Sequence, residues 1–280
     1  MSANYSMNKA MLNSGKAILV ASHLVKTYSQ RSGKFGFGIT LVKALDDVNI
    51  SLREGTTLAV VGESGSGKST LARCLLQLQP LDSGEVLFFG QDLAKLDGVA
   101  LRSVRKNLQM VFQDPFASLN PRMRVGEIVG EGLLIHGLGS GAEQQKKVIA
   151  MLKRVGLTES DMQKYPHEFS GGQRQRIGIA RALVLKPKVV VCDEPVSALD
   201  VSIQAQILLL LKELQAEMAL SYMFVSHDLR VVRHIADDIV VMNQGKVVEQ
   251  GSVVDIYQQP QHEYTRNLLE AIPGKKIVNA

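Results

Sequence analysis

The run Gly62-Glu63-Ser64-Gly65-Ser66-Gly67-Lys68-Ser69-Thr70 constrains this chain more than any other feature. It follows the apolar segment Leu58-Ala59-Val60-Val61 and precedes Leu71-Ala72-Arg73-Cys74-Leu75-Leu76, which contains no helix breaker. The first segment reads as a buried strand and the second as a helix. Strand, glycine-rich turn and helix are the setting in which a phosphate-binding loop has physical meaning. Glycines let backbone N–H groups approach an anion without Cβ collisions, and the helix N-terminus turns its dipole toward it. In that reading Gly62, Glu63, Ser64, Gly65, Ser66 and Gly67 cradle the phosphates of a nucleoside triphosphate. Lys68 reaches the β- and γ-phosphates, the Ser69 hydroxyl binds Mg²⁺, and Thr70 lies near the α-phosphate.

A second constellation is Val189-Val190-Val191-Cys192-Asp193-Glu194-Pro195. A buried strand that ends in two acids brings carboxylates to the C-terminal edge of a parallel sheet, where such sheets bind ligands. Asp193 suits the coordination sphere of Mg²⁺, and Glu194 suits orienting and deprotonating an attacking water. A third is Ser170-Gly171-Gly172-Gln173, a hydroxyl and bare backbone opening a helix over Gln173–Leu185, with Ile177, Ala180 and Val184 on one face. That is a second helix start suited to an anion.

Composition sets the frame. With 280 residues, 45% hydrophobic and 21% charged, the chain has material for one large domain or two modest ones. No apolar run approaches the roughly 20 residues that cross a bilayer, and polar Met1–Lys16 lacks a signal peptide's apolar core. Cys74 and Cys192 sit inside apolar segments without zinc-ligand spacing, which suits buried thiols. A net charge of +5 permits an anionic partner, but no basic stripe with interleaved aromatics marks a nucleic-acid surface.

Along the chain, Met1–Lys16 reads as a floppy tail, and Ile18–Tyr28 and Leu45–Leu52 as strands joined by the Gly- and Ser-rich loop Ser29–Gly38. Strands follow at Gly84–Gly90 and Leu108–Phe112. From about 114 to 186 the pattern turns helical: Val125, Ile128, Val129 and Leu133 repeat at helical spacing, and so do Val148, Ile149, Leu152 and Val155. Gln204–Met218 is a helix, Met223–Val225 and Ile239–Met242 are strands, and Ser252 opens a capped helix. The expected organisation is a tail at 1–16, a main α/β domain at 17–251 with a helical subdomain at about 114–186, and an appendage at 252–280.

The order of these features carries a family resemblance. Phe169-Ser170-Gly171-Gly172-Gln173 resembles the signature sequence of ATP-binding cassette (ABC) ATPases, with Phe169 where leucine is usual. The family's other elements follow in single copies: Gln113, Ser197-Ala198-Leu199-Asp200 and His227. The resemblance covers about Ile18 to Gly251 and implies a P-loop NTPase (RecA-like) core with an antiparallel β part, a helical subdomain insertion and a short C-terminal appendage. It implies ATP and Mg²⁺ as ligands. The signature would complete the ATP site of an opposing protomer in a head-to-tail dimer. Gln113 would sense Mg²⁺ and water, and His227 would contact the γ-phosphate and the attacking water. Tyr28 stands at the position of the aromatic that stacks on adenine, with Phe35 and Phe37 as competitors. His23, His136, His167, His234 and His262 read as structural, and Arg174 and Arg176 as a solvated face.

Two stretches narrow the resemblance. Phe112-Gln113-Asp114-Pro115-Phe116-Ala117-Ser118-Leu119-Asn120-Pro121-Arg122-Met123 and the C-terminal His262–Pro273 resemble the cassettes of bacterial peptide and nickel importers. In the second stretch Glu263 stands where proline is common. The resemblance implies an ATPase that energises import of peptides or a related small cargo, with nickel or another metal chelate as the alternative. A soluble cassette acting on ribosomes or DNA fits less well, since the chain has one cassette and no heptads. The implied partners are a second ABC ATPase (a paralogue or this chain itself), two integral membrane permease subunits and an extracytoplasmic binding protein, at the cytoplasmic face of a bacterial membrane. Pro115 and Asn120-Pro121 stiffen the loop after Gln113, which suits a rigid contact with a permease.

Overall fold

The computed structural model describes residues 17–32 and 38–272. The expected N-terminal tail, Phe35, Phe37 and the end of the appendage from 273 onward lie outside these residues. Contacts divide the chain into two units. One runs to Leu96 and resumes at Met223, and the other is Asp97–Tyr222.

The elements follow in chain order. The first segment holds β1 (Ala17–Ser32), β2 (Gly38–Arg53), β3 (Thr57–Val61), α1 (Lys68–Leu75), β4 (Ser83–Phe88) and β5 (Gln91–Asp92). The middle holds α2 (Gly98–Arg105), β6 (Leu108–Val111), α3 (Pro115–Ser118), α4 (Val125–Ile135), α5 (Gly141–Arg154), α6 (Gly171–Leu183), β7 (Val189–Asp193) and α7 (Val201–Met218). The last segment holds β8 (Ser221–Ser226), α8 (Leu229–Ile235), β9 (Asp238–Asn243), β10 (Lys246–Ser252), α9 (Val253–Gln258) and α10 (Glu263–Glu270).

In the first unit, β2, β1, β4 and β5 form an antiparallel sheet in that order. Here the structure corrects part of the loop expected over Ser29–Gly38: Ser29–Ser32 belong to β1 and Gly38 opens β2, while 33–37 lie outside the described residues. The β1–β2 ladder continues through Tyr28 opposite Val42 to Ser32 opposite Gly38. Local Gly and Ser content disfavours a strand, but two antiparallel strands already in register pair the next backbone groups at little extra entropic cost. Strands β10, β9, β3 and β8 lie side by side in that order, with β3 parallel to β9 and β10 antiparallel to it. Strands β3 and β8 are buried along their whole length, as strands covered on both faces must be. Ala59 and Val61 of β3 and Ile239 and Val241 of β9 share one apolar cluster with Leu229, Val232, Ile256 and Leu269.

In the second unit, β6 and β7 pair in parallel, from Leu108 opposite Val189 to Val111 opposite Cys192. The helical spacing read from the sequence matches the buried Val125, Ile128, Val129 and Leu133 of α4, Val148 and Leu152 of α5, and Ile177 and Ala180 of α6; on α5, Met151 is buried and Ile149 only half-buried. Strand β10 and helices α2 and α8 have no counterpart in the sequence reading; all are short, and α2 buries no residue. Among the described residues, no helix is long and apolar enough to cross a membrane.

Candidate active site

In the first unit the buried strand β3 runs directly into the glycine loop, and α1 starts at Lys68. Gly67, the N-cap of α1, has φ 105°, in the left-handed region. A Cβ at this position would lie 2.2 Å from the Ala44 carbonyl oxygen, so only glycine fits. No side chain caps α1, which leaves the start of the helix to its own backbone amides. The Lys68 ammonium is buried and donates to the carbonyls of Gly62 and Glu63, each at 2.8 Å. A buried ammonium must be compensated by acceptors, and here the loop that would receive a phosphate supplies them. The β9–β10 turn braces the loop, with the Gly245 N–H donating to the Ser66 carbonyl at 3.0 Å.

The same unit holds Tyr28 and His227. Tyr28 is half-buried on β1; its hydroxyl donates to the Gln79 side chain at 2.7 Å, and Lys26 Nζ lies 5.6 Å from its ring. His227 is exposed in the turn after β8. That turn is held by Ser226 Oγ, which accepts the Asp228 N–H at 3.0 Å, and by Asp228, which caps α8. Arg230 grips the Asp228 carboxylate with Nε at 3.0 Å and Nη2 at 2.7 Å. The guanidinium, followed by the backbone N–H of Arg230, holds that carboxyl below the usual carboxylate range against the opposing pull of burial.

In the second unit, β7 is buried to its end at Asp193, which is 3% exposed. Burial pushes the neighbouring Cys192 thiol up, so it is an inert core residue, as the sequence implied. Glu194 follows with φ 46°, a left-handed conformation that costs a non-glycine residue about 1 kcal/mol or more. This turn changes the chain's direction after the strand, and the Gln113 Nε2 donates to the Glu194 carboxylate at 3.1 Å. Ser197 returns to the Glu194 carbonyl through both N–H and Oγ, at 3.3 and 3.1 Å. Gln204, which the sequence marked only as the start of a helix, donates to the carbonyls of Val196 and Leu199, each at 3.0 Å. Its one signal was its place in the first turn of α7, behind the Asp200 N-cap. The Asp200 carboxylate accepts the Ile203 N–H and the Ser202 hydroxyl, which hold its pKa low.

Ser170 opens α6 in a capping box. Its Oγ accepts the Gln173 N–H at 3.4 Å, and the Gln173 side chain accepts the Ser170 N–H at 2.9 Å. A Cβ on Gly172 would lie 2.6 Å from Ile203 Cγ2, so the glycine lets the start of α6 pack against α7. Phe169 is buried just before this start.

The structure corrects the reading of Arg174 and Arg176 as a solvated face. Arg174 is buried, donates to the Pro166 and His167 carbonyls at 2.6 and 3.2 Å, and stacks 3.7 Å from the Phe116 ring. Arg176 is half-buried and donates to the Val155 carbonyl at 2.7 Å. Carbonyls at the ends of neighbouring helical turns, each with a second lone pair to offer, accept these donors, which makes an inward arginine favourable. Arg181, two turns on from Arg174, donates to the Ser118 carbonyl at 2.5 Å and lies 5.7 Å from the Phe112 ring. Helix α6 therefore grips the loop after Gln113 at two points.

Glu263, where proline is common in the resembling cassettes, is the first residue of α10. Proline suits this position because of its fixed φ, and an acid suits it because of the helix dipole, so the exchange is physically mild.

Known proteins match this arrangement. The family profile described as "ABC transporter" matches residues 45–197. The oligopeptide transport ATP-binding protein AppF of Bacillus subtilis is 52% identical over 92% of this chain and 79% of its own length. The dipeptide transport ATP-binding protein DppF of Escherichia coli is 51% identical over 91% of this chain and 76% of its own length. Among solved structures, the dimeric post-hydrolysis state of the ATP-binding cassette MJ0796 bound to ADP and Pi superposes with a TM-score of 0.74 at 32% identity, covering 84% of this chain and 98% of that one.

Proposed function

The chain belongs to the ABC transporter family of ATPases, and on that premise we propose that it energises the import of peptides through a membrane transporter. The observation that carries this reading is the 52% identity to an oligopeptide transport subunit, sustained over 92% of the chain. A match of that length takes in the glycine loop and the acidic strand end and reaches beyond the profile's residues 45–197. The MJ0796 cassette, solved as a dimer with ADP and Pi, supports ATP binding and hydrolysis by this chain.

Each residue's chemistry suits one task. The loop amides and Lys68 bind the β- and γ-phosphates, and the Lys68 ammonium exchanges its loop carbonyls for phosphoryl oxygens. Glu194, oriented by Gln113, takes a proton from the attacking water. His227, on its stiff turn, steadies that water and the γ-phosphate. The Ser69 hydroxyl, the Asp193 carboxylate and the Gln113 amide each carry a hard oxygen of the kind that would hold Mg²⁺. Bound there, Mg²⁺ supplies charge neutralisation at the phosphoryl oxygens. Tyr28 supports the adenine ring. Ser170, Gly171 and Gly172 at the start of α6 serve the ATP of an opposing protomer, with Ser197–Asp200 at the same dimer seam.

The domain limits follow the same reading: an ATPase domain over 17–251, a helical subdomain over about 114–186 and an appendage from 252. Two permease subunits and an extracytoplasmic binding protein complete the transporter, with this chain peripheral at the cytoplasmic face. Reconstitution into proteoliposomes with the permeases and binding protein tests the proposal. ATP-dependent uptake of a labelled peptide supports it. Uptake of a nickel chelate but not of peptides replaces the cargo, and no ATP-dependent uptake of either overturns the transport role.

A further inference from the structure

We propose that Tyr264 is a positioning residue for the phosphate loop: its phenolic oxygen holds the Glu63 peptide in the orientation that receives ATP. The inference rests on the loop being the ATP site. The Glu63 N–H donates to Tyr264 Oη at 3.1 Å, a contact between residues 201 apart in the chain. The carbonyl of the same residue accepts Lys68 Nζ at 2.8 Å. Both polar groups of Glu63 are thus engaged, one by the catalytic lysine and one by the C-terminal appendage. A backbone pinned at both ends has fewer orientations to lose when phosphate binds.

The appendage is built to keep that oxygen in place. The Glu249 carboxylate on β10 accepts the N–H groups of Gln261 and His262 at 2.7 and 3.1 Å, which sets the start of α10. The His262 ring caps the helix by accepting the Tyr264 N–H at 3.1 Å. Leu269 of α10 is buried in the cluster that holds Ala59 and Val61, and Leu268 and the Tyr264 ring pack against it. Those two β3 residues belong to the strand that feeds the loop. The hydroxyl is therefore referenced to the loop through one shared core. Partial burial raises the phenol's pKa above its ordinary value, so it remains neutral throughout the working pH range.

Tyr264→Phe in the full-length chain removes the oxygen and keeps the ring in the cluster. Calorimetry with MgATP, steady-state ATPase assays, thermal melting and amide exchange over residues 62–64 are the readouts. One neutral hydrogen bond at the loop predicts a rise of about three- to tenfold in Kd and KM for ATP, with kcat held within about twofold and the Glu63 amide exchanging faster. Leu268→Ala is the comparison: it loosens the same cluster, lowers the melting temperature and leaves KM near wild type. The proposal is overturned if Tyr264→Phe leaves Kd and amide exchange unchanged. It is also overturned if Kd, kcat and melting temperature move together as a general loosening of the appendage. Failure of the wild-type chain to bind ATP would instead sink the nucleotide reading itself.

Discussion

The Gln113 side-chain amide donates to the Glu194 carboxylate across 3.1 Å, joining the residue just beyond β6 to the residue just beyond β7. The two strands are parallel neighbours, so their C-terminal ends place both side chains at one sheet edge. Glu194 takes up a left-handed turn there, and Gln113 limits where its carboxylate points. Orientation of the Glu194 carboxylate is thereby coupled to the loop that starts at Gln113, which Arg174 and Arg181 of α6 hold by stacking and hydrogen bonding.

Glu194→Gln removes the proton acceptor and retains the size of the side chain. Hydrolysis is expected to fall at least ~100-fold while ATP binding persists, because water activation is lost and phosphate binding is not. Single-turnover assays beside equilibrium ATP binding check this; normal turnover, or failure to bind ATP, contradicts the assigned role.

Lys68→Ala is expected to reduce ATP turnover by at least ~100-fold through loss of the charge on the developing phosphoryl oxygens. It also removes the donor to the Gly62 and Glu63 carbonyls, so circular dichroism must accompany the assay. Wild-type turnover in a folded variant removes Lys68 from the mechanism.

A shared site predicts complementation. Lys68→Ala and Ser170→Arg each silence a homodimer, but random mixing makes about half the dimers mixed, each with one whole site, so about a quarter of all sites recover. Ser170→Arg also removes the α6 cap, at a cost of about 1 kcal/mol, so its melting temperature must be recorded. Should a paralogue be the obligate partner, the lesions are divided between the two chains. Full activity in either single variant rules out the shared site.

Phe116 is 62% exposed, with the Arg174 guanidinium 3.7 Å from its ring. Phe116→Asp places a carboxylate beside that guanidinium, so the fold tolerates it, while an apolar contact with a permease would not. Recovery of the membrane complex is expected to fall with ATP binding intact. Unchanged copurification places the docking surface elsewhere.

The Asp228–Arg230 pair predicts a pH dependence. The folded-state pKa of Asp228 is depressed, so its stabilising effect is present above the unfolded value of about 3.9 and is lost as pH falls through the folded value. Asp228→Asn should melt below wild type near neutral pH, and the gap should close in acid. Equal melting temperatures at neutral pH rule out a stabilising pair.

The sequence by itself determined the chemistry of each local motif. The glycine loop, the acidic end of β7 and the start of α6 are contiguous segments whose character comes from their own residues: closely spaced glycines, carboxylates at a strand terminus and a helix N-terminus. The helical period likewise marked the buried faces of α4 and α5, because a face repeats within a few residues. Only the tertiary structure decided which way Arg174 and Arg176 point, since the carbonyls that accept them belong to other segments. The same holds for the extension of β1 and β2, which follows from cross-strand pairing that local composition opposes. It holds most of all for Tyr264 and Glu63: no pattern within a short window encodes a hydrogen bond between residues 201 apart. That bond exists because Leu269 and Val61 bury their apolar surface in one cluster, and the helix that carries Tyr264 packs beside the strand that feeds the loop.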